Sequence, residues 1–246
     1  MMKNILEGKK MIDLSLDIVP SKGAWIQFPR ALVYGGEAVP TRIETIATVE
    51  KDGTFVQRYE STTQAFTHYD APAHFDVNGI TNEKVPLTQL VNEAVVIDML
   101  HKQPGEGVFA KDLEESGAEV RPGDTVIIRT GWTDKAFGQK LFWEKMIWLA
   151  PDAADWLISK KIVALAQDFM TDIPPVVPCE HCGALLPNKE LCPNHYKFLP
   201  NNIILIEWLT NLAAISKPRV LLVALPLKIV GADGAQCRVI AIEDVD

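Results

Sequence analysis

Four side chains that can bind metals or transfer protons lie in one short segment. It reads Gln64-Ala-Phe-Thr-His-Tyr-Asp-Ala-Pro-Ala-His-Phe75 and places Gln64, His68, Asp70 and His74 at even spacings. A helix would pair His74 with Asp70, but Pro72 would break that helix and bias the preceding residue toward extended geometry. Residues two apart in an extended chain share a face, so His68 and Asp70 are about 6.6 Å apart at ~3.3 Å per residue. An imidazole and a carboxylate that converge in this way suit Zn²⁺ or Mn²⁺.

Pro72 also predicts a turn that brings His74 back beside such an ion, where an imidazole can move protons. The alternative is that His-x-Asp arises by chance among surface residues with no shared role. Two histidines and an aspartate around one proline are less ordinary than that, since the chain has only five histidines. Spacing alone leaves both interpretations open.

Apolar runs broken by glycine and proline predict the elements that must position this segment. Strand patterns occur at 41–49, 94–98, 122–130 (a turn, then a strand), 162–166, 202–206 and 220–224. Helical patterns occur at 112–118 and 151–160. The second begins with Pro151 and has Asp152 in its first turn, as suits a helix N-terminus. This alternation predicts a mixed α/β core, whose strand order the sequence does not reveal.

The composition excludes several function classes. With 24 Lys+Arg against 32 Asp+Glu the formal net charge is −8, which argues against a nucleic-acid binder because such proteins need a basic face. It also argues against a polybasic membrane anchor. The longest apolar run, 220–227, is only eight residues long, against the roughly 20 that a bilayer requires. The charged N-terminus lacks a signal-peptide core, so we expect a cytoplasmic protein.

The segment Thr67–Phe75 resembles part of the signature His-x-Gly-Thr-His-x-Asp-x-Pro-x-His of the cyclase family of metal-dependent hydrolases. Bacterial kynurenine formamidase and isatin hydrolase belong to that family. Other segments agree in order: 13–15, 123–132, 225–234, and a histidine followed twelve residues later by a glutamate, here His195 and Glu207. The resemblance spans nearly the whole chain. It implies the swivelling β/β/α fold as a single domain over residues 1–246, and a homodimer or homotetramer that acts on a small molecule.

The resemblance also implies roles for individual residues. His68 and Asp70 resemble metal ligands, and His195 and Glu207 resemble the ligands of a second metal position. His74 resembles the general acid/base. Trp25 stands about where the family places an aromatic residue against the substrate. The implied cofactor is a divalent metal, Zn or Mn, as one or two ions.

Two departures from the signature affect the predicted site. Gln64 replaces the first ligand histidine, and Phe66 replaces the glycine. A glutamine oxygen can coordinate a metal but is a harder ligand than imidazole, which shifts the preference from Zn²⁺ toward Mn²⁺. Phe66 would narrow or reshape the substrate pocket.

The Pro/Cys-rich segment 170–200 predicts a loop insertion over the site, since long loops in compact domains tend to be functional. Within it, Cys179, Cys182, Cys192 and His195 have a spacing close to that of a structural zinc knuckle. That interpretation competes with an active-site role for His195, because one ring nitrogen cannot bind two separate ions. Three cysteines acting as small apolar residues are the third possibility.

The leading hypothesis is a metal-dependent hydrolase that cleaves an amide, lactam or lactone by means of a metal-activated water, with His74 as general acid/base. Its enzyme class would be the hydrolases of C–N bonds other than peptide bonds. The alternative is a non-catalytic zinc-binding interaction protein that uses the Cys179/Cys182/Cys192 loop.

Overall fold

A mixed eight-stranded sheet organises the chain. The computed structural model describes residues 6–20, 33–34, 37–38, 41–172 and 192–245. The strands in chain order are β1 (Lys9–Asp13), β2 (Val33–Tyr34), β3 (Glu37–Ala38), β4 (Arg42–Ala47), β5 (Val56–Glu60), β6 (His68–Asp70), β7 (Val91–Asp98), β8 (Gly107–Val108), β9 (Thr125–Arg129), β10 (Trp148–Leu149), β11 (Ala164–Gln167), β12 (Ile204–Glu207), β13 (Arg219–Pro226) and β14 (Gly234–Asp244). The α-helices are α1 (Val49–Asp52), α2 (Leu87–Leu90), α3 (Ala110–Glu115), α4 (Trp132–Ala136), α5 (Lys140–Glu144), α6 (Pro151–Ser159) and α7 (His195–Phe198). Short 3₁₀ helices cover Pro72–His74, Asn82–Lys84, Leu199–Asn201 and Leu212–Ala214.

The main sheet closes on itself. Its strand order is β1-β14-β13-β7-β9-β11-β12-β6, and β6 pairs with β14 as well as with β12. The central strands β7, β9, β11 and β12 run parallel, and the strands that close the ring pair antiparallel. The result is a barrel-like sheet in which the short strand β6 is held between two partners from the C-terminal part of the chain.

Both faces of β9, β11 and β12 are buried, which explains their continuous apolar runs. In β9 the side chains alternate: Val126 and Ile128 pack with the helices, whereas Ile127 packs inside the ring. The same alternation along β6 places Tyr69 in the interior. Because neighbouring residues in a strand point to opposite faces, His68 and Asp70 face the helical side.

Local structure follows the sequence pattern in most places. Elements are found at each predicted strand and helix, including β7, β9, β11, β12, β13, α3 and α6. In α6, Pro151 is at the first helical position, Asp152 is in the first turn, and Ala153, Ala154 and Leu157 are buried. The predicted mixed α/β architecture is therefore confirmed. Strand β14, which the sequence patterns did not predict, closes the sheet.

The structure leaves the predicted loop insertion untested and gives one finding about membrane-spanning helices. Residues 173–191 lie outside the described residues, so the Pro/Cys-rich loop insertion stays a prediction. In the parts of the chain that the structure describes, none of the helices has the length and hydropathy to cross a bilayer.

Candidate metal centre

The register of two antiparallel strands brings the first three ligand candidates together. His68 on β6 pairs directly with Glu207 on β12, so the two side chains project from the same face. Asp70 is two residues further along β6 and projects to that face as well. His68 Nε2 is 3.5 Å from Asp70 Oδ1 and 3.7 Å from Glu207 Oε2.

Helix α7 supplies the fourth candidate, His195, from the helical side of the sheet. Its Nε2 is 3.5 Å from Asp70 Oδ2 and 3.7 Å from Glu207 Oε1. Four donor atoms around a tetrahedral zinc at ~2.1 Å would be about 3.4 Å apart. The four nitrogen–oxygen distances are close to that value, and each carboxylate turns one oxygen to His68 and the other to His195. Among the described residues, two groups of donor atoms lie within 4.8 Å of one another, His68 with Asp70 and Glu207, and Asp70 with His74 and His195, so that Asp70 belongs to both.

Asp70 is the strongest indication that a cation belongs here. Its side chain is 0% exposed, and neither carboxylate oxygen makes a hydrogen bond in the described part of the protein. An isolated ionised carboxylate without compensation is too costly to bury. The chemistry of the donor set, two imidazoles and two carboxylates, fits a divalent ion such as Zn²⁺ or Mn²⁺.

Hydrogen bonds fix the orientation of three candidate ligands, His68, His195 and Glu207. His68 Nδ1 donates to the carbonyl oxygen of Phe66 at 2.7 Å, which leaves Nε2 as the free lone pair. His195 Nδ1 bonds the carboxylate of Asp172, and the Thr171 hydroxyl donates to Glu207 Oε1. Such partners are typical of metal ligands, since they set the tautomer and aim the coordinating atom.

The charges of these groups are strongly coupled. Burial raises the pKa of Asp70, but His74, His195 and His68 outweigh it and lower the pKa below its ordinary value. Burial and the nearby Asp70 raise the pKa of Glu207. Burial lowers the pKa of His195, but Asp172 raises it well above its ordinary value. The neighbouring imidazoles thus favour the ionised form of Asp70, which is the form that binds a cation.

His74 lies at the edge of this cluster. The chain turns at Pro72 into the 3₁₀ helix Pro72–His74, as the proline predicts. An atom of His74 lies within 4.8 Å of donor atoms of Asp70 and His195. Its side chain keeps 18% exposure, so it can reach both the cluster and solvent, as a proton-transfer group must.

Comparisons with known proteins identify the family. The family model described as "Putative cyclase" matches residues 12–171, well over half of the chain. This chain belongs to the cyclase family. Kynurenine formamidase of Salinibacter ruber is 26% identical over 240 residues, covering 94% of this chain and 96% of that protein. Isatin hydrolase of Roseibium aggregatum is 26% identical over 193 residues, covering 72% of this chain and 70% of that protein.

A solved structure shows the same fold. An isatin hydrolase bound to the product analogue thioisatinate superposes with a TM-score of 0.79 at 22% identity, over 97% of this chain and 94% of that chain. The fold that the resemblance implied is therefore confirmed.

The two departures from the cyclase-family signature occupy defined positions. Gln64 Nε2 donates to Asp233 Oδ2 at 3.1 Å. Phe66, where the signature has glycine, has a φ of 57°, a left-handed conformation that costs an L-residue roughly 1–2 kcal/mol. Its ring is fully buried against Phe137, with the ring centroids 6.4 Å apart. Trp25 lies outside the described residues.

The competing zinc-knuckle interpretation depends on His195, and Cys179 and Cys182 lie outside the described residues. His195 uses one ring nitrogen for Asp172 and turns the other toward Asp70. This orientation places His195 among the candidate ligands around Asp70. Cys192, three residues earlier, is partly buried.

Sequence reasoning did not assign functions to three residues that contact the cluster. Thr171 and Asp172 follow the end of β11. The hydroxyl of Thr171 donates to Glu207, and the carboxylate of Asp172 accepts from His195. Asp233 accepts a hydrogen bond from His74 Nδ1 at 2.9 Å. The sequence offered two weak signals for Asp233. It lies in the segment 225–234 that agrees with the family, and it is part of a Gly-Ala-Asp-Gly turn, which turn chemistry alone explains.

Proposed function

We propose that this protein is a metal-dependent hydrolase that cleaves an amide, lactam or lactone, with His74 as general acid/base. At the level of enzyme class, it is a cyclase-family hydrolase of C–N bonds other than peptide bonds, like the kynurenine formamidase and isatin hydrolase that it resembles over most of its length. The observation that carries the proposal is Asp70, whose buried carboxylate accepts no hydrogen bond from any residue that the structure describes and lies 3.5 Å from two imidazole nitrogens.

The proposed ligands are His68, Asp70, His195 and Glu207, with Gln64 as a fifth candidate. When bound, a divalent ion supplies Lewis-acid chemistry, since it polarises a substrate carbonyl and lowers the pKa of water. Two overlapping donor groups share Asp70, and the second includes His74. A second ion would therefore occupy the imidazole that the reaction needs as a base, so we propose one ion, Zn or Mn. The proposed ligation by Gln64 would use its Oε1, because its Nε2 donates to Asp233.

Individual residues have separate proposed roles in the reaction. His74 accepts a proton from the attacking water and returns it to the leaving nitrogen or oxygen, as general acid/base catalysis requires. Phe75 stacks on His195 with ring centroids 4.6 Å apart, and this apolar ring limits the access of solvent to that side. Phe66, together with Trp25, stays our candidate for shaping the substrate pocket.

The test is a screen of purified protein against formanilide, isatin and dihydrocoumarin, before and after treatment with a chelator. We expect turnover of at least one compound that chelation abolishes and that added Zn²⁺ or Mn²⁺ restores. Elemental analysis should give about one ion per chain. Turnover that survives complete chelation would refute the proposed role of the metal, and failure to hydrolyse any of the three would refute the proposed substrate class.

Variants assign the roles within the site. His74→Ala should lower kcat by about 10²–10⁴-fold, the usual contribution of a general acid/base, while its metal content stays at the wild-type value. His101→Ala is the matched control, because His101 is an exposed histidine away from the cluster. A His74 variant with the turnover of the His101 variant would contradict the assignment.

We also propose a cytoplasmic homo-oligomer, as the family resemblance implies. The β4–β5 hairpin supports association, since it forms a separate two-stranded sheet that exposes Ile46, Val49 and Phe55. Isolated two-stranded hairpins are marginally stable in water. Light scattering coupled to size exclusion should give a mass of two or four chains; the mass of one chain would contradict the proposal.

A further inference from the structure

Asp233 is a carboxylate outside the proposed ligand set that contacts the proposed base. It accepts three side-chain hydrogen bonds: from His74 Nδ1 at 2.9 Å, from Gln64 Nε2 at 3.1 Å and from Thr63 Oγ1 at 2.8 Å. An ionised carboxylate only accepts hydrogen bonds. Nδ1 of His74 therefore carries a proton, and in the neutral imidazole the lone pair is then on Nε2.

The backbone holds Asp233 in place independently of these side chains. The Ala71 N–H donates to the Asp233 carbonyl oxygen at 2.8 Å. The next residue, Gly234, pairs with Asp70 where β14 meets β6. A Cβ at Gly234 would lie 2.3 Å from the Tyr69 carbonyl oxygen, so only glycine permits this close approach. The turn is thereby pinned to the strand that carries two of the proposed ligands.

We propose that Asp233 is a positioning residue for His74: it fixes the Nδ1–H tautomer and the ring orientation, so that Nε2 serves as the proton acceptor. The inference rests on the proposed function for its catalytic consequence, but the tautomer itself can be measured without turnover. Gln64 and Thr63 assist by orienting the carboxylate. Gln64 and His74 donate to the same oxygen, Oδ2 of Asp233, so Asp233 connects the first residue of the segment 64–75 to its last histidine.

The first experiment measures the tautomer directly. The Zn²⁺-loaded full-length protein is labelled with ¹⁵N-histidine, and long-range ¹H–¹⁵N correlations are recorded for the wild type and for Asp233→Asn, Asp233→Ala and Asp233→Glu. His74→Ala assigns the resonances of His74. We expect protonated Nδ1 and bare Nε2 in the wild type and in D233E, and a shift toward the Nε2–H tautomer in D233N and D233A. An unchanged His74 tautomer in both D233N and D233A would overturn the proposal.

The second experiment measures kinetics on whichever of formanilide, isatin and dihydrocoumarin the wild type hydrolyses. D233N should lower kcat by about 10²-fold or more, because the wrong tautomer disables the base, with KM changed less than threefold and metal content unchanged. D233E should recover a substantial part of the lost kcat. The matched control is Asp76→Asn, which makes the same change of side chain in the loop after His74. The Asp76 carboxylate accepts its hydrogen bond from the N–H of Asn78.

The outcomes separate this inference from the proposed function. If none of the three compounds is hydrolysed, the proposed function fails, while the tautomer measurement still decides the role of Asp233. A loss of kcat in D233N that comes with loss of metal or of the melting transition would show a structural role and overturn the inference. D233E keeps the charge and provides a folded variant if D233A does not fold.

Discussion

Replacing Asp70 by asparagine should separate metal binding from folding. Asp70→Asn keeps the shape of the side chain and removes one negative charge from the centre of the donor cluster. The two oxygens of Asp70 face His68 and His195 at 3.5 Å. An amide offers only one neutral oxygen in place of two charged ones, so we expect the variant to lose metal affinity and keep its fold.

The expected change in Tm follows from the linkage between metal binding and folding. A ligand present at 1,000 times its Kd stabilises the native state by about 4.1 kcal/mol. With an unfolding entropy of ~2.1 cal/mol/K per residue, a chain of 246 residues has about 0.5 kcal/mol/K in total. Saturating metal should therefore raise the Tm of the wild type by about 8 °C and that of Asp70→Asn by very little.

The assay is differential scanning fluorimetry of chelator-treated protein with and without Zn²⁺ or Mn²⁺. Asp76→Asn serves as the control and should keep the full shift. Because a neutral amide is less costly to bury than the carboxylate that it replaces, the metal-free Tm of Asp70→Asn should stay within a few degrees of the wild type. A metal-induced shift in Asp70→Asn equal to that of the wild type would refute the assignment of this carboxylate as the central ligand.

Three further predictions concern pH, packing and the support of the ligands. Burial raises the pKa of Glu243, but hydrogen bonds, first from Ser216, lower it to about 2 from an ordinary 4.5. The stability that this carboxylate contributes is present above about pH 4.5 and is lost as the pH falls toward 2, so Glu243→Gln should flatten the acid limb of a denaturation profile; an unchanged limb would contradict this. Gly234→Ala, whose Cβ would lie 2.3 Å from a carbonyl oxygen of β6, should cost roughly 1–3 kcal/mol or more in chemical denaturation, and a neutral result would show that the turn can move. Thr171→Val removes the hydroxyl that bonds Glu207 and should weaken metal affinity about 10–100-fold in competition titrations, whereas wild-type affinity would exclude a supporting role.

Local rules predicted the part of the site that one stretch of chain supplies. Pro72 would break a helix through this segment and biases Ala71 toward extended geometry. In the structure, β6 precedes Pro72 and the 3₁₀ helix Pro72–His74 begins at it. The shared face of His68 and Asp70 follows from strand periodicity alone. The buried strands could likewise be predicted, because residues such as Ile127 and Ile128 are apolar on both faces of the sheet.

Contacts between distant segments could not be predicted. Asp233 meets His74 across 159 positions and Asp172 meets His195 across 23, and neither spacing has a periodicity that a strand or helix would impose. Strand β14 was missed for a related reason, because it pairs with β1, β13 and β6 along different parts of its length. Its register depends on three partners that only the folded sheet brings together.

The closed sheet also determines when, during synthesis, the candidate ligand cluster can form. Strand β6 is synthesised early, but its two neighbours, β12 and β14, begin more than 130 residues later. A ribosome-bound chain that ends before Gly234 carries His68 and Asp70 on a strand that lacks one flanking partner and lacks the turn that contacts His74. We therefore expect the proposed ion site to be fully ordered only once β14 has paired with β6, and a chain truncated before Gly234 to bind metal more weakly than one that includes β14.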